Sequence, residues 1–138
     1  MKLNTYLSFN GDCEEAFNFY VECFGGGNVS MFKFAGSPMA DQVPPEWQDK
    51  VMHATLMLGE NVLMGADSPP GSYETPKGFT ISINTTNIEE AERVFQALAK
   101  QGKVTMPMQQ TFWALRFGML IDRFGIPWIL NCEEPAQK

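Results

Sequence analysis

The chain contains a single histidine, His53, in the stretch "VMHATLML". Imidazole is the side chain whose ordinary pKa lies nearest neutrality, which makes His53 the first candidate for general acid or base work on a bound ligand. Arg116, in "TFWALRFGML", carries a planar fork of donors suited to a carboxylate or phosphonate. Each has a plainer reading. A lone histidine with no visible Asp or Glu to orient it often serves structure, and Arg116 is equally suited to an acidic partner from its own fold or a dimer mate. Phe112, Trp113 and Trp128 have flat faces for a planar ligand, yet aromatic residues on strands are usually core. The pairs Glu14, Glu15 and Glu89, Glu90 fall at helix starts, where negative charge complements the dipole, and offer no paired-carboxylate catalytic site. Gly25 to Gly27 follow a helix and not a strand, so they end that helix and cradle no phosphate.

The elements that position these residues come as a repeat. "DCEE" at Asp12 precedes an apolar stripe at Ala16, Phe19, Tyr20, Cys23 and Phe24, the spacing of one helix face. Asp12 is suited to cap the first turn, with Glu15 reaching back. "NIEE" at Asn87 repeats the arrangement, with Ala91, Val94, Phe95 and Leu98 as the stripe and Gly102 at the end, displaced by about 75 residues. Alternating strands are expected at Leu3 to Phe9 and Gly78 to Asn84 before the helices. After them come Val29 to Phe34, Val51 to Leu58 and Val62 to Ala66, then Val104 to Met106, Phe112 to Ile121 and Ile126 to Asn131. The expectation is an α+β single domain of two βαβββ modules, about 1–66 and about 78–132, joined by a Pro- and Gly-rich linker. The irregular piece "AGSPMADQVPPEWQDK" is long enough for a lid, a dimer arm or a solvated excursion.

Alternation sorts each strand into two faces. Leu7, Phe9, Ala54, Leu56, Leu58, Phe79, Ile81, Ile83, Phe117, Met119, Ile121, Trp128 and Leu130 form an apolar set to pack under the helices. The opposite set is more polar: Asn4, Tyr6, Ser8, His53, Thr55, Met57, Met64, Thr80, Ser82, Phe112, Arg116 and Asn131. If Asp122 to Gly125 is a four-residue turn, Ile121 pairs with Ile126 and Arg116 lies opposite Asn131 on that polar face. Such a lining suits a small-molecule site and also a wet, open sheet.

Composition narrows the classes. With 138 residues, 44% hydrophobic and 19% charged, the chain is an ordinary single domain, and a net charge of −6 with no basic run disfavours nucleic acid and anionic membrane. No apolar stretch approaches a bilayer's thickness and no signal-like segment opens the chain, so a cytoplasmic location is expected. Cys13, Cys23 and Cys132 make an odd count. The first two lie too far apart on one helix to bridge, and reduced, buried thiols are expected.

The paired modules, "YLSFNGDCEEAFNFY", "GFTISI", "TFWALRFG" and "DRFGIPWILN" together resemble the PhnB-like branch of the vicinal oxygen chelate superfamily, which includes glyoxalase I, bleomycin-resistance proteins and extradiol dioxygenases. The resemblance covers nearly the whole chain. It implies curved mixed sheets with helices outside, a cavity inside, and a homodimer. In the superfamily's metal enzymes, His, Gln or Glu occupy the first and last strands of each module. Here the matching positions are Asn4, Thr5 or Tyr6; Met64 or Gly65; Gly78, Phe79 or Thr80; and Trp128 or Ile129. Only Asn4 offers even a weak donor, so no metal and no other cofactor are expected. No glycine-rich turn follows the first strand, which leaves the methyltransferase label carried by some relatives without sequence support.

Three readings stand at this level. The first is a metal-free binder of an unidentified small molecule, with Tyr6, Thr55, Met64, Thr80, Phe112, Arg116 and Asn131 lining a homodimer cavity and His53 as the sole catalytic candidate. The second is a lyase, isomerase or dioxygenase that uses His53 or a recruited divalent metal, and the third a structural or regulatory dimer. Bleomycin-resistance proteins bind cationic ligands, which suits the net negative charge. Arg116 on the polar face argues instead for an anionic or neutral ligand, and this local clue is given more weight.

Overall fold

In the first half, "TYLSF" forms β1, Thr5–Phe9, and α1 follows at Cys13–Phe24. Strands β2 (Asn28–Lys33), β3 (Val51–Leu58) and β4 (Asn61–Asp67) complete the unit. The second half repeats the order as β5 (Ile81–Thr85), α2 (Ile88–Ala99), β6 (Lys103–Gln109), β7 (Arg116–Ile121) and β8 (Pro127–Cys132). This computed structural model describes residues 1–135, and the chain divides into two units, Met1–Glu74 and Thr75–Lys138. Each unit holds one four-stranded mixed sheet, ordered β1-β4-β3-β2 in the first and β5-β8-β7-β6 in the second. The outer pair β1 and β4 is parallel, as is β5 and β8, and the remaining neighbours are antiparallel.

One face of each sheet packs under its helix. Leu7, Phe9, Ala54 and Leu56 meet Ala16, Phe17, Tyr20 and Cys23 of α1, all nearly inaccessible. Each fully buried Leu or Phe of this kind contributes roughly 1.5–3 kcal/mol. Helix and strand approach closely enough at Gly65 that an added Cβ would sit 2.9 Å from the Leu7 carbonyl oxygen and 3.0 Å from the Phe17 ring. In the second unit Ala91, Val94, Phe95 and Leu98 of α2 are buried against the sheet, whose Leu120, Trp128 and Leu130 are equally covered.

The two helices begin differently. Asn87 caps α2 through its side-chain oxygen, which accepts from Glu90 N at 3.0 Å, while Glu90 reaches back to Thr85 Oγ1 at 2.9 Å. Asp12 makes no such bond at the start of α1. The carboxylate of Asp67, at the end of β4, takes its place by accepting from Gly11 N at 2.9 Å, Cys13 N at 3.0 Å and Val51 N at 2.8 Å. One buried side chain thereby ties the first turn of α1 and the start of β3 to β4. The strand extends through Asp67, a residue that composition alone assigns to the linker.

The β7–β8 connection departs from a four-residue turn. Asp122 N donates to Ile126 O and Gly125 N to Asp122 O, and the buried Asp122 carboxylate accepts from Phe124 N, Ile126 N and Trp128 Nε1. Ile126 is fully buried in this arrangement, and Ile121 pairs with Pro127 instead of Ile126. A slip of one residue exchanges the faces of the whole strand. Arg116, Gly118 and Leu120 therefore turn toward α2, while Phe117, Met119 and Ile121 turn away. A Cβ at Gly118 would lie 2.8 Å from the Phe95 ring of α2. Arg116 is paired with Cys132, and it is Phe117 that lies opposite Asn131.

Besides β1, which starts at Thr5 and not Leu3, two expected strands start three or more residues later than alternation suggests. Residues Thr111 to Ala114 close on themselves through Thr111 N to Ala114 O and Ala114 N to Thr111 Oγ1, so β7 starts at Arg116 and Phe112 stands outside it. Thr80 lies ahead of β5 and is exposed. The long piece between β2 and β3 is held down. Phe34 N donates to Lys50 O and Ala35 N to Gln48 O, the Gln48 amide donates to the carbonyls of Ala40 and Val43, and Phe34 and Val43 are buried.

Candidate functional site

The face of the first sheet turned away from α1 carries a row formed by Tyr6 of β1, Met64 of β4, Thr55 of β3 and Ser30 of β2, each paired with the next. His53 lies two residues before Thr55, on the same face, beside Phe32. The phenol of Tyr6 reaches across β4 to within 3.1 Å of His53 Nδ1, and Thr55 Oγ1 lies 3.2 Å from His53 Nε2. Both imidazole nitrogens therefore have a hydroxyl partner. In a neutral ring one nitrogen accepts and the other donates, and since either hydroxyl takes either role, both tautomers fit this chain. Partial burial pushes the Tyr6 phenol above its usual range, with the nearby Cys13 adding to the effect, so the hydroxyl keeps its proton at neutral pH. Tyr6 is nonetheless 50% exposed, as is Met57 at 49%, so the row is accessible to a ligand.

The second unit presents a different set. On the face away from α2, Asn131 is 8% exposed and donates both hydrogens of its amide, to Asn84 Oδ1 at 3.1 Å and to Glu133 Oε1 at 2.8 Å. Its own Oδ1 is buried and has no partner among the described residues. A buried acceptor left unmatched costs about 1–3 kcal/mol.

Of the residues expected to line a site, Tyr6, Thr55 and Met64 do share one face with His53, and Asn131 lies on the corresponding face of the second sheet. Arg116 does not. Its Nε lies 3.4 Å from Glu92 Oε1 on α2 and its Nη1 donates to Leu115 O at 2.7 Å, which is the internal-partner alternative. The expectation of an anionic ligand rested on Arg116 and falls with it. Phe112 is 98% exposed, edge-on to Trp113 at 4.7 Å, and belongs to neither face. Trp128 is core, not a stacking platform, with its indole N–H on Asp122. Asn84 and Glu133 were missed: Asn84 lies on the more polar alternation of β5, but Glu133 lies past the last strand, where alternation says nothing.

Divalent metal enzymes of this architecture need imidazole or carboxylate donors on the first and last strands. The open face here offers Tyr6 and Met64 in the first unit, and in the second Trp128 turns to the core while Ile129 pairs with Ser82. These side chains do not fit such an ion. Among the described residues no group of three or more His, Cys, Asp or Glu is placed to hold a metal.

Two βαβββ units with mixed sheets define the α+β fold of glyoxalase and bleomycin-resistance proteins. A glyoxylase/bleomycin resistance protein/dioxygenase domain from Frankia sp. EAN1pec shares it at a TM-score of 0.67, with 14% identity over 97% of this chain and 98% of that one. Residues 1–131 match the family described as 3-demethylubiquinone-9 3-methyltransferase, and the chain belongs to this PhnB-like family of the vicinal oxygen chelate superfamily. It is 46% identical to protein PA1353 from Pseudomonas aeruginosa, at a TM-score of 0.88 over 98% of this chain and 99% of that one. A PhnB protein from Bacillus cereus is 28% identical, with a TM-score of 0.79 over 96% and 99%. Protein YjdN of Escherichia coli strain K12 is 33% identical, covering 99% of this chain and 100% of that protein.

The family's description speaks of methyl transfer. A nucleotide-bearing cofactor bound at a strand-to-helix turn requires free amides there. Gly11 N and Cys13 N, at the turn between β1 and α1, are already held by Asp67, whose charge also opposes an incoming anion. This turn does not fit such a cofactor. Among the described residues no helix is long and apolar enough to cross a membrane.

Proposed function

We propose that this protein binds a small, neutral organic molecule on the open face of its first sheet, as a homodimer and without a metal. The observation that carries the reading is the chain of hydroxyl, imidazole and hydroxyl formed by Tyr6, His53 and Thr55. It supplies both donor and acceptor capacity on one accessible face, and Met57 and Met64 beside it offer polarizable, adaptable contact. A carbonyl or hydroxyl group on the ligand is the matching chemistry. Exposed Phe32, 60% accessible next to His53, supports a second copy or the ligand covering that edge.

The same chain favours a second reading, proton transfer. A proton taken from a ligand by Thr55 Oγ1 as its own proton moves to His53 Nε2, while His53 Nδ1 gives its proton to Tyr6 and Tyr6 releases its hydroxyl proton to water, leaves all three groups neutral, so the triad is able to relay a proton without holding net charge. A thermal-shift screen of neutral carbonyl and hydroxyl compounds separates the outcomes. Hits lost in both Tyr6→Phe and His53→Ala support the first-sheet site. Hits retained in both variants sink it. Turnover of a hit that His53→Ala abolishes while binding persists selects the catalytic reading. Sedimentation velocity reads the oligomeric state, and a monomer at every concentration removes the homodimer.

A further inference from the structure

We propose that the second unit carries a separate recognition site for an organic ammonium group, built by Asn84, Asn131 and Glu133 on the face turned away from α2. This inference stands on its own observation and does not require the first-sheet site. Glu133 fixes the orientation of the Asn131 amide, since its carboxylate accepts from Nδ2 at 2.8 Å and would repel the amide oxygen in the flipped orientation. The second hydrogen of Nδ2 goes to Asn84 Oδ1 at 3.1 Å, an atom that also receives Ser82 Oγ at 3.5 Å. The oxygen of Asn131 is left buried and without a partner among the described residues, in a side chain more than nine-tenths inaccessible.

Buried acceptors of this kind are matched in nearly all proteins, so the orphaned oxygen marks the place of a donor supplied from outside. The neighbours say which donor. Glu133 makes no ion pair with any described residue, and its charge flanks the same amide, so the local field favours a cation. A protonated amine has three donors and no acceptor, which suits the orphaned Asn131 oxygen and the second Glu133 carboxylate oxygen, the acceptors left open beside the amide hydrogens of Asn84. Arg116, the one cation expected on this face, is turned to α2 and held by Glu92. Phe117 lies opposite Asn131, Met119 opposite Ile129, and the Trp113 ring packs edge-on to Phe117 at 5.2 Å. These partly exposed side chains provide an apolar and aromatic floor for the carbon body of the ligand, and an aromatic face attracts a cation.

Benzylammonium chloride is the probe, with benzyl alcohol and sodium benzoate as matched neutral and anionic controls, titrated into the 15N-labelled full chain. The expected result is a saturable shift of the Asn131 and Asn84 side-chain amide signals with benzylammonium, at least tenfold weaker binding of benzyl alcohol, and none of benzoate. Glu133→Gln, at an exposed position, lowers benzylammonium affinity about tenfold, and Asn131→Leu abolishes the shift of Asn84, while His53→Ala leaves both unchanged. No saturable shift, equal affinity for benzyl alcohol, or wild-type affinity in Glu133→Gln each overturns the site. Since Glu133 is exposed, its substitution remains decisive if Asn131→Leu does not fold.

Discussion

The indole Nε1 of Trp128 donates to the carboxylate of Asp122 at 2.8 Å, inside the core beneath the β7–β8 connection. The same carboxylate accepts from Phe124 N and Ile126 N, so one side chain closes the connection and anchors the strand that leaves it. Asp122→Ala strands three buried donors and is expected to cost about 3–5 kcal/mol. Trp128→Phe strands only the carboxylate's third bond and some packing, at about 1–2 kcal/mol. Urea denaturation of both variants checks the order, and equal losses would contradict the assignment.

Asp67 has the corresponding role in the first unit, with three backbone donors shared between its two oxygens. Asp67→Asn keeps the shape but turns one acceptor into a donor facing an N–H. A loss of about 2–4 kcal/mol is expected, with early hydrogen exchange at Cys13 and Val51. Exchange at those two amides that matches wild type would remove Asp67 from this role.

Asp12 makes a pH-dependent prediction. Burial raises its pKa, with the charge of Asp67 adding to the effect and backbone hydrogen bonds partly opposing it. A carboxylate whose folded pKa is raised binds its proton more tightly in the native state, so its ionised form weakens folding at neutral pH. That penalty fades as pH falls through the folded pKa and is gone below the ordinary aspartate value of 3.8. Asp12→Asn should therefore raise Tm by about 1–2 °C at pH 7 and by nothing near pH 3. Thermal melts across that range check the sign, and a gain that grew on acidification would refute it.

Arg116 and Glu92 are each 37% exposed at 3.4 Å separation, so their pairing is worth only a few tenths of a kcal/mol. Arg116→Ala should leave stability nearly unchanged. Burial lifts the Cys132 thiol pKa while Arg116 pulls it down, so the variant should raise it further, which the pH dependence of slow thiol alkylation under mild denaturant would detect. Any ligand of the first sheet should bind the Arg116→Ala chain as it binds wild type.

Much of this architecture is legible in the sequence because it rests on local periodicity. The stripes of α1 and α2 and the alternation of β1, β3 and β4 depend on residues a few positions apart, and the face shared by Tyr6, His53, Thr55 and Met64 follows from them. What was not legible depends on distant partners. Nothing near Asp67 announces that its carboxylate will hold amides at Gly11 and Val51, and Asp12 looked like the natural cap until Asp67 supplied the acceptor. For β7 the outcome turned on one residue. A four-residue turn and the connection stabilised by Asp122 differ by a single step of register, and that step moved Arg116 from the open face to Glu92. Strand alternation predicts two faces but not which is which when both contain apolar residues, as Phe117, Met119 and Gly118, Leu120 do.

In both sheets the first strand is joined to the last one, Thr5 beside Leu63 and Ile81 beside Trp128, running in the same direction. Local hairpins can zip as soon as they leave the ribosome, but this seam waits until the far end of its unit has been made. Until then β1 stays unmated and the apolar side of α1 lacks much of its cover. Closure of so long a chain segment favours folding in milliseconds to seconds over microseconds. The interval of greatest exposure to chaperones and to mispairing thus falls while each β4 or β8 is still being synthesised.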